Sequence, residues 1–155
     1  LKDVPEFQKY AASTAFVEGW GLYSEQLANE MGLYSNDVQQ LGRLGNDAWR
    51  ACRLVLDTGM HGMGWSRDQA IKFFLENSPI ENTNANIETD RYIAWPGQAC
   101  AYKMGQLAIM ELRKNAEEDL SESFDIKLFH DEVLKDGGIT IPILRKKIKE
   151  FVAST

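Results

Sequence analysis

The sequence predicts an all-α protein, an array or bundle of about six or seven helices, folded as a single domain over residues 1–155. Three observations lead there. Apolar residues recur at steps of three and four along most of the chain, and no two stretches alternate convincingly as paired strands do. The composition, 44% hydrophobic and 26% charged, is that of an ordinary folded domain.

From Ser13 to Met31 the residues Phe16, Trp20, Tyr23, Leu27 and Met31 mark one face of a helix, and Gly32 is a natural stop. A longer helix is expected between Asn36 and Thr58, with Val38, Leu41, Gly45, Ala48, Cys52 and Val55 on its apolar stripe. Asn46, Arg50, Arg53 and Asp57 lie on the opposite, polar stripe. Gly59, Gly62 and Gly64 are expected to break this helix into a loop that carries His61, because glycine costs helix stability and permits positive φ.

Ser66 followed by Gln69 reads as a capping box opening a helix to about Asn77, with Ile71, Phe74 and Leu75 inward and Pro79 closing it. Asn82 to Asn86 is expected as a polar connection, and Ile87 to Trp95 as a helix interrupted at Pro96-Gly97. A helix then runs from Gln98 to about Asp119. Asp125 caps a further helix ending near Gly137-Gly138, and Pro142 sits in the first turn of a last helix reaching Val152. Ile139 to Ile141 is the one candidate for a short extended piece.

Composition also excludes functions. The net charge is −6, and the basic residues are scattered except for the run from Arg145 to Lys149, so a nucleic-acid partner or an acidic membrane surface is not expected. No transmembrane segment is expected, because the richest apolar segment, Ala99 to Leu112, is interrupted by Tyr102, Lys103, Gln106 and Glu111. A soluble protein follows. Cys52 and Cys100 are expected to be buried free thiols. The chain opens at Leu1 with neither a methionine nor a signal segment, which reads as a piece of something longer.

Self-contained metal chemistry is hard to build from these residues. His61 and His130 are the only histidines, there is no CxxC pair, and neither histidine follows a glutamate at the Glu-x-x-His spacing. Attention therefore falls on polar residues near glycine and aromatic positions. Glu18, Leu22 and Glu25 share a helix face opposite Phe16, Trp20 and Tyr23, either a solvated carboxylate face or part of a site; Gly19 and Gly21 in mid-helix imply close packing. Arg50, Arg53 and Asp57 fit an ordinary ion-pair stripe. His61 is either a loop residue or a general acid, base or hydrogen-bond donor. Arg91, Tyr92, Gln98, Tyr102 and Lys103 flank the Pro96-Gly97 break, as a core aromatic stripe with polar tips or as site residues.

Three blocks taken together carry a resemblance. The run Ala15-Phe16-Val17-Glu18-Gly19-Trp20-Gly21-Leu22-Tyr23-Ser24-Glu25 comes first, then Arg53-Leu54-Val55-Leu56-Asp57-Thr58-Gly59-Met60-His61 with Gly64-Trp65. Arg91-Tyr92-Ile93-Ala94-Trp95-Pro96-Gly97-Gln98-Ala99 follows, with Tyr102-Lys103-Met104-Gly105. In this order, from about Pro5 to Val152, they resemble the bacterial family called domain of unknown function 885. That family looks like helical zinc metallopeptidases of the gluzincin type, with two histidine ligands and a catalytic glutamate in an upstream segment.

The resemblance implies that Glu18 is the third zinc ligand and that zinc, bound in the full-length protein, activates water against a peptide substrate. It makes His61, Tyr92 and Tyr102 candidate hydrogen-bond donors to the oxyanion, Arg91 a candidate anchor for a substrate carboxylate, and Arg53 and Asp57 supports behind them. The histidine pair and the glutamate base lie outside these residues, so the chain is expected to be the C-terminal part of a larger helical catalytic domain. By itself it is expected to hold no zinc and to be inactive, in the bacterial cytoplasm or periplasm. The competing expectation is a noncatalytic helical interaction or scaffold domain that keeps the fold without metal. Self-association is a third expectation, since unpartnered helices bare apolar surface.

Overall fold

A computed structural model describes residues 4–155. In chain order the helices are α1 (Glu6–Tyr10), α2 (Thr14–Glu30), α3 (Asp37–Gly62), α4 (Arg67–Asn77), α5 (Asn82–Ala94), α6 (Ala101–Leu120), α7 (Ile126–Leu134) and α8 (Ile141–Ser154), with a 3-10 turn at Ser121–Ser123. The all-α expectation holds. Among the described residues there are eight helices, the unforeseen one being the five-residue α1, and no strand forms at Ile139 to Ile141.

Three helices, α3, α4 and α7, start at side chains that satisfy their free N–H groups. Asn36 Oδ1 accepts from the Gln39 N–H at 3.0 Å. The Ser66–Gln69 capping box forms in both directions, at 3.2 and 2.8 Å. Asp125 accepts from the Lys127 and Leu128 N–H groups at 2.7 and 3.2 Å, and Pro142 occupies the first turn of α8.

Three boundaries differ from the sequence reading. α3 continues to Gly62, so His61 lies in its last turn instead of a loop. Gly59 and Gly62 remain helical, and the left-handed residue is Gly64 at φ +71. Gly59 serves packing, because a Cβ there would lie 2.7 Å from the Trp65 ring, which folds back on the helix end. Asn82 to Asn86 is the first turn and more of α5, not a connection. The break at Pro96-Gly97 is real, and α6 starts at Ala101, three residues later than expected.

The largest revision concerns the faces of α3. Val38 and Leu41, placed on the apolar stripe, are 79% and 70% exposed, whereas Arg53 and Asp57 are only 7% and 3% exposed. Towards the end of α3 the polar stripe turns inward, because α5 and the turn before α6 supply Arg53 and Asp57 with partners, while Asn46 and Arg50 are only partly buried. Leu75, expected inward on α4, is 40% exposed. Cys52 is buried, but Cys100 is only partly so.

Two apolar clusters hold the helices. Phe16 and Tyr23 of α2 pack with Ile109 of α6, Phe129 of α7, and Leu144 and Ile148 of α8. Leu56 of α3 packs with Phe74 of α4, Ala85 and Tyr92 of α5, and Ala99. α6 belongs to the first cluster, where its contact with α2 is the most extensive between any two helices, and it also touches α3 of the second. The helices touch backbone to backbone: a Cβ on Gly105 would lie 1.8 Å from the Ala15 carbonyl oxygen, and one on Gly19 would lie 2.4 Å from Gly105. This closeness explains Gly19, while Gly21 faces open space.

Candidate functional site

The second and third sequence blocks meet where α3, α5 and the start of α6 come together. The segment Trp95-Pro96-Gly97-Gln98 has the residue pattern of a type II turn. Proline stands second, Gly97 third at φ +82, and the Gln98 N–H donates to the Trp95 carbonyl at 3.4 Å. This reversal presents the Gly97 N–H to α3, where both oxygens of Asp57 accept it, at 3.0 and 2.9 Å. Asp57 is therefore held by the turn and does not pair with Arg53, correcting the expected ion-pair stripe.

Arg53 instead crosses to α5. Its Nη2 lies 2.9 Å from Glu88 and its Nε donates to the Tyr92 hydroxyl at 2.8 Å. The hydroxyl donates in turn to Glu88 Oε2 at 2.7 Å, and Arg91 reaches the same oxygen at 3.1 Å. Burial pushes the Glu88 carboxyl up, but the hydrogen bonds from Arg91 and Tyr92 and the charges of Arg53 and Arg91 outweigh it, leaving it below the usual carboxylate range. Burial, with Glu88 adding to it, pushes the Tyr92 hydroxyl up to about 12.

The five expected site residues fall into distinct environments. Tyr92 is 0% exposed, with its hydroxyl bonded to Arg53, Glu88 and, at 3.4 Å, the Trp49 indole N–H. Arg91 shares the Glu88 carboxylate with Arg53 and donates to Gln98 at 2.7 Å. Tyr102 is partly buried beneath the Arg53 guanidinium, 4.7 Å from its ring centroid, and its hydroxyl has no hydrogen bond among the described residues. His61 is exposed, with Nε2 at 3.1 Å from the Tyr92 carbonyl oxygen. A carbonyl can only accept, so Nε2 carries the hydrogen and Nδ1 is left for other chemistry.

Glu18 stands apart from this network, on α2. It is partly buried and makes no hydrogen bond or ion pair with any described residue. Its neighbour Gly19 lies on Gly105, three residues beyond Tyr102, so both Glu18 and Tyr102 lie within one turn of the α2–α6 crossing.

Among the described residues no group of three His, Cys, Asp or Glu side chains is placed to hold a metal. His130, the other histidine, has its Nε2 within 2.7 Å of the Tyr23 hydroxyl. Glu18 is one ligand where zinc needs three or four, so these residues alone do not fit a complete zinc centre.

Glu88 was missed by the sequence reading, although its spacing of three to Arg91 and four to Tyr92 on a helix was a usable signal. Lys103, one of the residues flanking the Pro96-Gly97 break, pairs with Asp47 at 2.7 Å, whereas Trp49, beneath Arg53 at 5.3 Å, was findable only from the fold.

No helix among the described residues is long and apolar enough to cross a membrane. Residues 1–148 match the family described as bacterial protein of unknown function, DUF885. A crystal structure described as "the putative lipoprotein from Colwellia psychrerythraea" is 43% identical to this chain, with a TM-score of 0.88. The match covers 92% of this chain and 24% of that one, so the chain spans about a quarter of the length of that protein. No curated protein matches. By the family match over nearly its whole length, and by this likeness, the chain belongs to the DUF885 family of bacterial proteins.

Proposed function

We propose that this chain is the C-terminal portion of a zinc-dependent peptidase domain, to which it contributes Glu18 as one metal ligand. The two histidine ligands and the glutamate base come from elsewhere in the full-length protein. The observation that carries the reading is the state of Glu18: a partly buried carboxylate with no hydrogen bond or ion pair to the described residues, on the helix that Gly19 locks against α6. A carboxylate so placed keeps its lone pairs for a ligand, and helix packing fixes its position.

Zinc in such a site supplies a water whose pKa falls toward neutrality and a Lewis acid for the peptide carbonyl. The chain's own residues divide the remaining work. Tyr102 is the better donor to a developing oxyanion, since its hydroxyl is free, whereas the Tyr92 hydroxyl is committed inside the protein. Tyr92 is a positioning residue that keeps Arg53 against the Tyr102 ring. His61, with Nε2 held by the Tyr92 carbonyl, offers Nδ1 to take up a proton, and once protonated to donate one.

The test is hydrolysis of a mixed peptide library by the metal-replete full-length protein. Products that disappear on chelation and return with zinc support the reading. No product from any peptide under metal-replete conditions transfers the function to a noncatalytic helical scaffold that keeps the fold without metal.

A further inference from the structure

The chain as a whole is acidic, with a net charge of −6, yet α3 carries Arg43, Arg50 and Arg53 along one stripe at spacings of seven and three. Their partners differ. Arg53 is paired with Glu88 at 2.9 Å, and Arg91 draws on the same carboxylate at 3.1 Å, so two guanidiniums share one counter-charge. Lys103 has Asp47 at 2.7 Å. Arg43 donates to Gln26 and Gln40 and lines the same recess as Glu25.

Arg43, partly buried and without a carboxylate partner among the described residues, spends both Nε and Nη1 on those glutamines, whereas Arg50, likewise partly buried and without a carboxylate within ion-pair distance, leaves more of its fork free. Its bonds go to neutral acceptors of its own helix, the Asn46 side chain at 2.9 Å and the Asn46 carbonyl at 3.4 Å, both through Nη1. A guanidinium offers five N–H donors in a planar fork, so the Nε and Nη2 edge is unspent. The Trp49 ring holds that plane, with the Arg50 guanidinium 5.5 Å and the Arg53 guanidinium 5.3 Å from its centroid. Partial burial of a cation without a counter-ion is unfavourable, and an oriented free edge is what a carboxylate engages in two parallel hydrogen bonds.

We infer that Arg50 binds a carboxylate of the peptide substrate, either the free C-terminus or an acidic side chain, and sets the enzyme's preference for such peptides. The inference rests on the peptidase reading for its substrate, and on the Arg50 environment for the binding itself. Arg91, with its donors engaged by Glu88 and Gln98, has less to offer an incoming carboxylate than Arg50 has.

Two measurements keep this inference separable from the peptidase reading. In the first, the isotope-labelled 155-residue chain is titrated with N-acetylglycine and with its neutral amide, following the Arg50 Nε–H and Trp49 indole N–H resonances. The carboxylate shifts both resonances to saturation and the amide does not. Arg50→Gln abolishes the Trp49 shift, and Arg50→Lys keeps part of it. Equal shifts from acid and amide, or an unaltered Trp49 response in Arg50→Gln, overturn the inference whether or not the full-length protein is a peptidase.

In the second, full-length protein is given matched peptides with a free C-terminus, a C-terminal amide, or an amide plus one internal glutamate. The free acid or the glutamate peptide exceeds the plain amide by about tenfold in kcat/KM, and which of them does so identifies the carboxylate recognised. Arg50→Gln brings the three within about twofold, mainly through KM. An acid preference that persists in Arg50→Gln overturns the assignment and leaves the peptidase reading intact. Absence of all cleavage removes the peptidase reading, and the resonance titration still decides whether Arg50 is a carboxylate site.

Discussion

Tyr92 and Tyr102 show how burial sorts two similar side chains. The Tyr92 hydroxyl ties Arg53 to Glu88 in the interior, so Tyr92→Phe leaves buried charged groups short of a hydrogen bond and lowers stability by about 1–3 kcal/mol in urea unfolding. Tyr102→Phe removes a hydroxyl with no partner among the described residues and changes stability by less than about 0.5 kcal/mol, and the proposed peptidase role predicts a lower kcat for this variant of the full-length protein. Equal stability losses in the two variants contradict this division. Glu88 adds a pH dependence whose sign follows from its lowered pKa. Its contribution is fully present above its ordinary value of 4.5 and is lost as pH falls through the lower native value. Melting temperature followed from neutral to acidic pH therefore falls more steeply in the unaltered chain than in Glu88→Gln, and parallel curves count against the network. Arg91 and Tyr92 were legible as chemistry-bearing residues because they stand beside a proline-glycine break. Which tyrosine is sealed inside was not, since burial is decided by α3, some forty positions away in sequence.

For the helices, the α2–α6 crossing is the feature most exposed to test. Gly105→Ala drives a Cβ into the Ala15 carbonyl, where backbone must move, so a loss of about 3 kcal/mol or more is expected. Gly21→Ala meets nothing within 4 Å and removes a mid-helix glycine, so a gain of about 0.5–1 kcal/mol is expected from the same urea titration of this chain. Similar values for the two variants contradict the close crossing. The capping side chains Ser66 and Asp125 sit next to the helices they start, and these local signals placed two N-termini well, while the start expected at Asn36 proves to be capped by that residue too. The end of α3 misled because helix-breaking tendency was assigned to all three glycines, whereas only Gly64 adopts left-handed geometry and Gly59 makes room for Trp65. The polar stripe of α3 misled for a related reason: periodicity identifies two faces, but Arg53 and Asp57 turn inward because Glu88 and the Gly97 N–H await them.

Across the whole molecule, two apolar clusters joined by α6 account for the fold, and the Arg53–Glu88–Tyr92 network together with the Asp57–Gly97 contact fixes the surface beside Tyr102. Val38, Leu41 and Leu44 leave an apolar strip exposed on α3. Self-association through it predicts a sedimentation coefficient that rises with concentration and stops rising in Leu41→Lys. A constant monomeric value in the unaltered chain contradicts this. The central claim is that Glu18 is this chain's share of a zinc site, and the most direct measurement is zinc per protomer in the full-length protein, its Glu18→Ala variant and the 155-residue chain. One zinc in the full-length protein, lost in the variant and absent from the shorter chain, is the predicted result; no zinc in the metal-replete full-length protein, or one that survives Glu18→Ala, contradicts it.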